Sequence, residues 1–384
     1  MLIFMVFVYF IFLAISFFIL SDVKSPYFKL CSFIFAVILG FLIQYEGNES
    51  DITRYLFVPS VYASISWENI FDERDFFIPV FAKLVSYVSD SPRFFAVIMY
   101  VLYILLFNKS VRLVTANYYG HSCFYIAALF LAYPFTNFNA LRFSFATLFF
   151  VWCILKIVIA KKKKFYLIIL LTPFIHFSYW IFIPLPYLCL IIKDRLWLAL
   201  LIFAISFVFI TPQVSYFINS FAEQYFTEPT ANTVALYASE EGLEYMNDRY
   251  ATGYSMLSLR GLVFYNLFEI KRYAIMAIVA IICVFNYRML KGNRKLSTRF
   301  VLLLLAYSLA NVASSVSNGV RFFHTCVFIA VFFFFNVLYP VNDEEQSENL
   351  MFINSSKKWM TLSFAITIII GILYIWAGRY MYIP

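Results

Sequence analysis

The sequence predicts an all-α fold: a polytopic helical membrane protein of about twelve transmembrane spans. Three observations predict it. Hydrophobic residues make up 63% of the chain and charged residues only 13%, with a mean hydropathy of +0.83. Apolar runs recur near the roughly 18-residue length that crosses a hydrocarbon core of about 30 Å. Lysine and arginine gather at the ends of those runs, where they set orientation by resisting translocation.

The spans are expected at 2–20, 28–45, 93–107, 121–136, 139–160, 165–177, 178–192, 196–211, 273–287, 300–316, 320–339 and 359–377, and 1–384 reads as one membrane domain. Residues 2–20 carry no charge and lack both a basic leader and a small-residue cleavage site, which describes a retained span rather than a signal peptide. The pair within 165–192 is too short for two full crossings. With Pro173, Pro184 and Pro186 it reads as a broken or tightly turned hairpin.

Orientation follows from the basic residues. Lys161 to Lys164 close the run 143–160, so that end faces the cytoplasm and Asn139 and Arg142 sit at the outer surface. With both termini outside, seventeen of the basic residues fall on the inner side, twelve of them lysine. Eleven fall on the outer side, nine of them arginine, and Lys156 lies within a span. Lysine suffices for topology, whereas the planar arginine fork grips phosphate or carboxylate bidentately. An arginine-built outer face is therefore suited to an anion. The same placement makes the net charge of +8 an orientation signal, not a nucleic-acid footprint.

Two outer segments are large. The first, 46–92, carries Asp51, Arg54, Glu68, Asp72, Glu73, Arg74 and Asp75, and its apolar residues from Phe76 to Val88 predict an interfacial helix. The second, 212–272, is acidic in its first half and supplies Arg249, Arg260, Lys271 and Arg272 in its second. Tyr225, Tyr237, Tyr245, Tyr250 and Tyr254 stud it, side chains that stack on sugar rings and hydrogen-bond their hydroxyls. The segment 340–358 reads as a solvated cytoplasmic connector, and no internal repeat is visible.

Several chemistries find no signature. There is no Walker loop, no glycine-rich dinucleotide turn, no Gly-x-Ser-x-Gly elbow and no histidine-rich metal cluster. The six cysteines lie in or beside apolar runs with no Cys-x-x-Cys, which argues against a disulfide framework or a zinc site. The sequence thus calls for no cofactor and no metal.

What remains is a set of polar residues on the outer side. Arg142 opens a span after the break Pro134 to Asn139, and Arg321 repeats this after Ser317-Asn318-Gly319. A charge so placed needs a partner or a water-filled cavity, and the following helix N-termini favour an anion. The alternative is an interfacial arginine snorkelling to lipid phosphate. His176 precedes Ser178 near the same surface, as a base or as a satisfied buried histidine. Asp51, with Arg54 and Tyr55, is either a surface ion pair or a carboxylate beside a sugar hydroxyl. Asp72 and Asp75 are weaker versions of that idea. His324, three residues after Arg321, is a second histidine candidate.

At Asp51-x-x-x-Tyr55, Asn139-Ala-Leu-Arg142, His176-Phe-Ser178 and Arg321, the sequence resembles the Wzy-type O-antigen and exopolysaccharide repeat-unit polymerases, particularly their EpsG-like branch. That branch often has glutamine directly after the arginine of Asn-x-x-Arg, where this chain has Phe143. The resemblance implies a GT-C-like fold in the bacterial inner membrane. It also implies joining of undecaprenyl-pyrophosphate-linked oligosaccharides at the periplasmic face, within membrane lipid and alongside a chain-length regulator. For this activity Asp51, Arg142 and His176 are expected to be catalytic, and Asn139 and Arg321, with Arg54, Arg249 and Arg260 of the arginine-built outer face, are expected to bind substrate. Two rivals stand beside it. A flippase for lipid-linked sugars needs polar residues at mid-membrane depth and repeat symmetry, neither of which is evident. An O-antigen ligase shares the donor chemistry and differs in its acceptor, while an acyl-CoA-dependent acetyltransferase has only His121 on the cytoplasmic side.

Overall fold

The computed structural model describes residues 26–42, 58–71, 75–115, 123–132, 141–210, 217, 220, 221, 223, 224, 259–315, 319–340 and 343–378. All regular structure among them is helical. Four helices are long and apolar enough to cross a membrane, within Pro92–Val114, Leu141–Val158, Arg294–Ala313 and Asn349–Leu373, and shorter apolar helices accompany them. These elements make the chain a multi-pass helical membrane protein. The span expected at 2–20 lies outside the described residues.

The chain forms two compact units, one of residues 1–183, 332–350 and 378–384, the other of residues 184–331 and 351–377. The first unit contains α1 (Pro26–Leu42), α2 (Val58–Ser64), α3 (Trp67–Phe71), α4 (Phe77–Ser86), α5 (Pro92–Val114), α6 (Cys123–Ala132) and α7 (Leu141–Val158), followed by the short turns α8 (Phe165–Ile168) and α9 (Thr172–Ile175). Helix α5 buries Phe95, Met99, Tyr103, Phe107 and Val111, a four-residue spacing that keeps one stripe on the core. Helix α1 packs closely on it because residue 40 is glycine: a Cβ there would collide with the Val97 Cα and come within 2.8 Å of its Cγ2. Gly40→Ala is therefore expected to cost about 1–3 kcal/mol through overpacking. Thermal unfolding of the purified protein checks this, and an unchanged midpoint would mean that the two helices part at little cost.

Between Phe76 and Val88, where an interfacial helix is expected, a helix forms over Phe77–Ser86. It buries Ile78, Ala82 and Val85, and its Lys83 is buried as well. The Lys83 ammonium donates to the carbonyls of Ala63 at 2.7 Å and Ile65 at 2.8 Å. A buried cation thus closes the C-terminal end of α2, where carbonyls lack intrahelical donors.

Helix α7 has 18 residues, about 27 Å at 1.5 Å per residue, with Arg142 in its first turn and the exposed Lys161 to Lys164 beyond its other end. Lys161 adopts the left-handed conformation (φ 52°), and the Lys162 N–H returns to the Lys156 carbonyl at 3.0 Å. After this reversal the chain climbs back along α7. It does so in fragments, α8, a 3-10 turn (Ile169–Leu171) and α9, as the prolines predict. Pro173 has no N–H for the Ile169 carbonyl. The Thr172 hydroxyl replaces it, donating to that carbonyl at 2.7 Å.

In the second unit α10 (Pro184–Ile192), α11 (Leu196–Ser206), α12 (Leu259–Phe285) and α13 (Tyr287–Gly292) pack on α14 (Arg294–Ala313). Asn293 caps α14, its side chain accepting the Leu296 N–H at 3.1 Å. Asn311 donates to the Ser206 hydroxyl at 2.9 Å inside the apolar mass, and Ser297 donates to the carbonyl of Asp194, in the exposed turn between α10 and α11, at 3.0 Å. Helix α12 begins at Leu259, inside the segment expected as loop, and the last helix, α16, runs Asp343–Gly378. Helix α15 (Phe322–Leu338) precedes it and has residues in both units.

Candidate active site

Three chain segments of the first unit meet at one carboxylate. Asp75 lies in the turn before α4, and its Oδ2 accepts from the Arg142 Nη1 at 2.7 Å. Its Oδ1 accepts the Phe177 backbone N–H, also at 2.7 Å. One side chain therefore ties the turn before α4 to the first turn of α7 and to the broken segment after α9. The Asp75 side chain is 13% exposed and that of Arg142 is 34% exposed, so the pair is shielded on one side and open on the other. Asp75 has both oxygens engaged, which makes it an anchor for the guanidinium rather than a base.

His176 stands at the chain break between α9 and a 3-10 turn (Phe177–Ile181), with extended backbone (φ −151°, ψ 114°). Its N–H donates to the Thr172 carbonyl at 3.1 Å and its own carbonyl accepts the Tyr179 N–H at 3.0 Å. The imidazole Nδ1 lies 2.7 Å from the Ser178 hydroxyl. When Nδ1 carries the proton and donates to Ser178, Nε2 holds the basic lone pair; when Ser178 donates, the proton sits on Nε2. The hydroxyl, which both donates and accepts, accommodates either tautomer.

Aromatic packing sets these groups. The Phe143 ring meets His176 edge-on, with centroids 5.4 Å apart and planes at 86°. Tyr179 is fully buried against Phe143, Phe150 and Phe182. Its hydroxyl lies 2.6 Å from Thr147 Oγ1, one turn further along α7. Phe77 stacks on Phe145 at 5.2 Å and fixes the start of α4 against the same helix. The position after Arg142, where the resembling family often has glutamine, is thus a packing residue for the histidine.

Of the residues proposed from sequence, the structure brings Arg142 and His176 together around Asp75. Asp51, Arg54, Asn139 and Arg249 lie outside the described residues, and Arg260 is described only as a position on α12. Arg321 belongs to the second unit, where it ends the 3-10 turn Gly319–Arg321 before α15. Gly319 is needed there: a Cβ would collide with the carbonyl oxygen of Ala313. Arg272, also in that unit, is buried with its guanidinium carbon 4.1 Å from the Phe323 ring centre and 4.4 Å from that of Tyr273. Asp75, a weaker candidate than Asp51 on sequence, is the carboxylate that joins these segments among the described residues. The available signal was its place immediately before the amphipathic helix.

Among known proteins, the EpsG family matches the chain over residues 29–382. No curated protein and no solved structure matches it.

Proposed function

Because the chain belongs to the EpsG family, helical membrane proteins linked to polysaccharide biosynthesis, we propose that it polymerises undecaprenyl-pyrophosphate-linked oligosaccharide repeat units at the periplasmic face of the bacterial inner membrane. A GT-C-like architecture of about twelve spans belongs to the same reading, as does a chain-length regulator as partner. The observation that carries it is the Arg142–Asp75 pair, held in the first turn of α7 and bonded to the peptide that follows His176.

The reaction needs two things from the protein. An acceptor hydroxyl attacks the anomeric carbon of the donor; its proton leaves as the new C–O bond forms. The old bond to the lipid diphosphate breaks, and its electron pair ends on the diphosphate oxygen. In this reading His176 takes the proton through Nε2, with Nδ1–H donating to the Ser178 hydroxyl 2.7 Å away. Arg142, aided by the first-turn N–H groups of α7, stabilises the charge growing on the diphosphate. The lipid donor is already activated, so no nucleotide is required.

Ser178→Ala is expected to slow polymerisation about 5- to 10-fold, the worth of one neutral hydrogen bond of about 1 kcal/mol. Ser178→Thr, which keeps the hydroxyl, is expected to restore most of the rate. Equal losses in both variants would mean that the serine serves packing alone.

The test of the function is lipopolysaccharide banding from cells lacking the protein. Single-repeat products support polymerisation, unsubstituted core would indicate a ligase, and unchanged banding would exclude both. Orientation is checked separately with single cysteines at positions 88 and 162 in a cysteine-free background. An impermeant thiol reagent is expected to label position 88 and spare position 162 in outer-membrane-permeabilised cells. Equal labelling would overturn the assignment of sides.

A further inference from the structure

The polar site stands beside an unusual surface. Five aromatic rings follow one another without interruption: Trp67, Phe71, Phe76, Phe174 and Trp180. Their centroids are spaced 6.1 Å from Trp67 to Phe71 and 5.7 Å from Phe71 to Phe76. Phe76 and Phe174 are 5.0 Å apart, and Phe174 and Trp180 are 6.5 Å apart. These are contacts between α3, the turn before α4, α9 and the 3-10 turn after His176, all within the first unit. The ladder is not core. Phe71 is 57% exposed and Trp180 49%, with Trp67, Phe174 and neighbouring Leu171 also exposed.

Its position relative to the polar groups is fixed by sequence adjacency. Phe76 directly follows Asp75, and Phe174 stands two residues before His176. The Asp75–Phe177 hydrogen bond and the Phe76–Phe174 ring contact join the same two segments, one through polar atoms and one through rings. The middle of an apolar exposed track therefore adjoins the ion pair of a guanidinium that is one-third exposed. A molecule that suits both is an amphiphile with a strongly anionic head and a long apolar tail.

We propose that this ladder seats the isoprenoid tail of a polyprenyl diphosphate whose head is held at Arg142. The identity of that lipid rests on the polymerase reading above. Methyl-branched alkenes offer many C–H groups to ring faces, and the exposed rings carry no hydroxyl to hydrogen-bond a sugar. A diphosphate brings more charge to a single arginine than a phospholipid headgroup does, which favours it in competing with Asp75 for the guanidinium. Phe76 and Phe174 then set the distance between the reacting head and the start of the tail. Ordinary phospholipid is the competing occupant, and the experiment separates the two.

The full-length protein is placed in nanodiscs of phosphatidylethanolamine and phosphatidylglycerol with a radiolabelled polyprenyl diphosphate as probe. A photo-crosslinking p-benzoylphenylalanine replaces Phe71, Trp180 or, as control, Leu105, an exposed apolar residue on α5 that is not part of the ladder. Crosslinking at 71 and 180 is expected to exceed that at 105 at least tenfold. Unlabelled polyprenyl diphosphate should compete it away and added phosphatidylglycerol should not. Equal labelling at all three positions, or competition by phosphatidylglycerol, would show bulk lipid only and overturn the proposal. As a second measurement, Phe71→Ala with Trp180→Ala is expected to weaken probe binding about tenfold and leave inorganic diphosphate binding unchanged. Unchanged probe binding would equally overturn it. Ladder crosslinks in a protein whose loss leaves polymer intact would retain the lipid site and reject the polymerase, whereas polymer loss without ladder crosslinks would do the reverse.

Discussion

Arg142→Lys is expected to lower the polymer formed per unit of membrane-inserted protein by about 10²–10³-fold, nearly as far as Arg142→Ala. Lysine preserves the charge and loses the fork. In the resting site one guanidinium nitrogen already meets Asp75 at 2.7 Å. A planar group can keep that bond and turn its other nitrogens to a diphosphate, which a single ammonium does poorly. A transition-state donor of this kind is worth about 3–4 kcal/mol, well above the few tenths to 1 kcal/mol of an interfacial ion pair. That gap makes the comparison decisive. If Arg142 only snorkels to lipid phosphate, lysine substitutes for it almost fully and polymer stays near normal. The assay must be normalised to inserted protein, because Arg142 opens a helix long enough to span the membrane and a folding defect would imitate a chemical one.

The sequence disclosed most where the physics was local. Proline lacks an N–H wherever it stands, so the break at Pro173 was readable, and the fragments from Phe165 to Ile181 follow from it. Arg142 was readable because a charge at the start of an apolar run needs a partner. The amphipathic segment was readable from the alternation of Ile78, Ala82 and Val85 with polar and exposed neighbours.

The starts of α12 and α16 were not. Hydropathy senses depth in lipid rather than helicity: α16 begins in polar sequence at Asp343, and the first half of α12, from Leu259, is interrupted by Arg260, Glu269, Lys271 and Arg272. The choice among the acids of the first outer segment was hidden for another reason. Asp75 is 67 residues from Arg142 and 102 from Phe177 in the chain. No periodicity or spacing reports a contact at that separation. The left-handed turns at Lys161 and Lys193 show the opposite limit. Their lysines were legible as topology signals, while the backbone conformation that reverses the chain leaves no mark when glycine is absent.

Asp75→Ala is expected to reduce polymer formation about 10²-fold while costing only about 1–2 kcal/mol of stability, chiefly the hydrogen bond from Phe177. The two magnitudes differ because the pair is partly open: Arg142 is 34% exposed, and exposed pairs contribute little to folding. The carboxylate matters instead as a positioning group, holding the guanidinium and, through the Phe177 N–H, the segment that carries His176. If it acts through Arg142, the double variant Asp75→Ala with Arg142→Ala should be scarcely worse than Arg142→Ala alone, since residues acting as one unit are not additive. Asp75→Asn sharpens the test. It keeps an acceptor for Phe177 and removes the charge that competes with a diphosphate for the arginine. Substrate should then bind more tightly while turnover falls, so KM and kcat drop together. A purely structural aspartate would not produce that pattern; it would lower the amount of folded protein and leave both constants of the survivors unchanged. Wild-type turnover from Asp75→Ala, beside an inactive Arg142→Ala, would reduce the pair to a resting surface contact and leave the arginine to work alone.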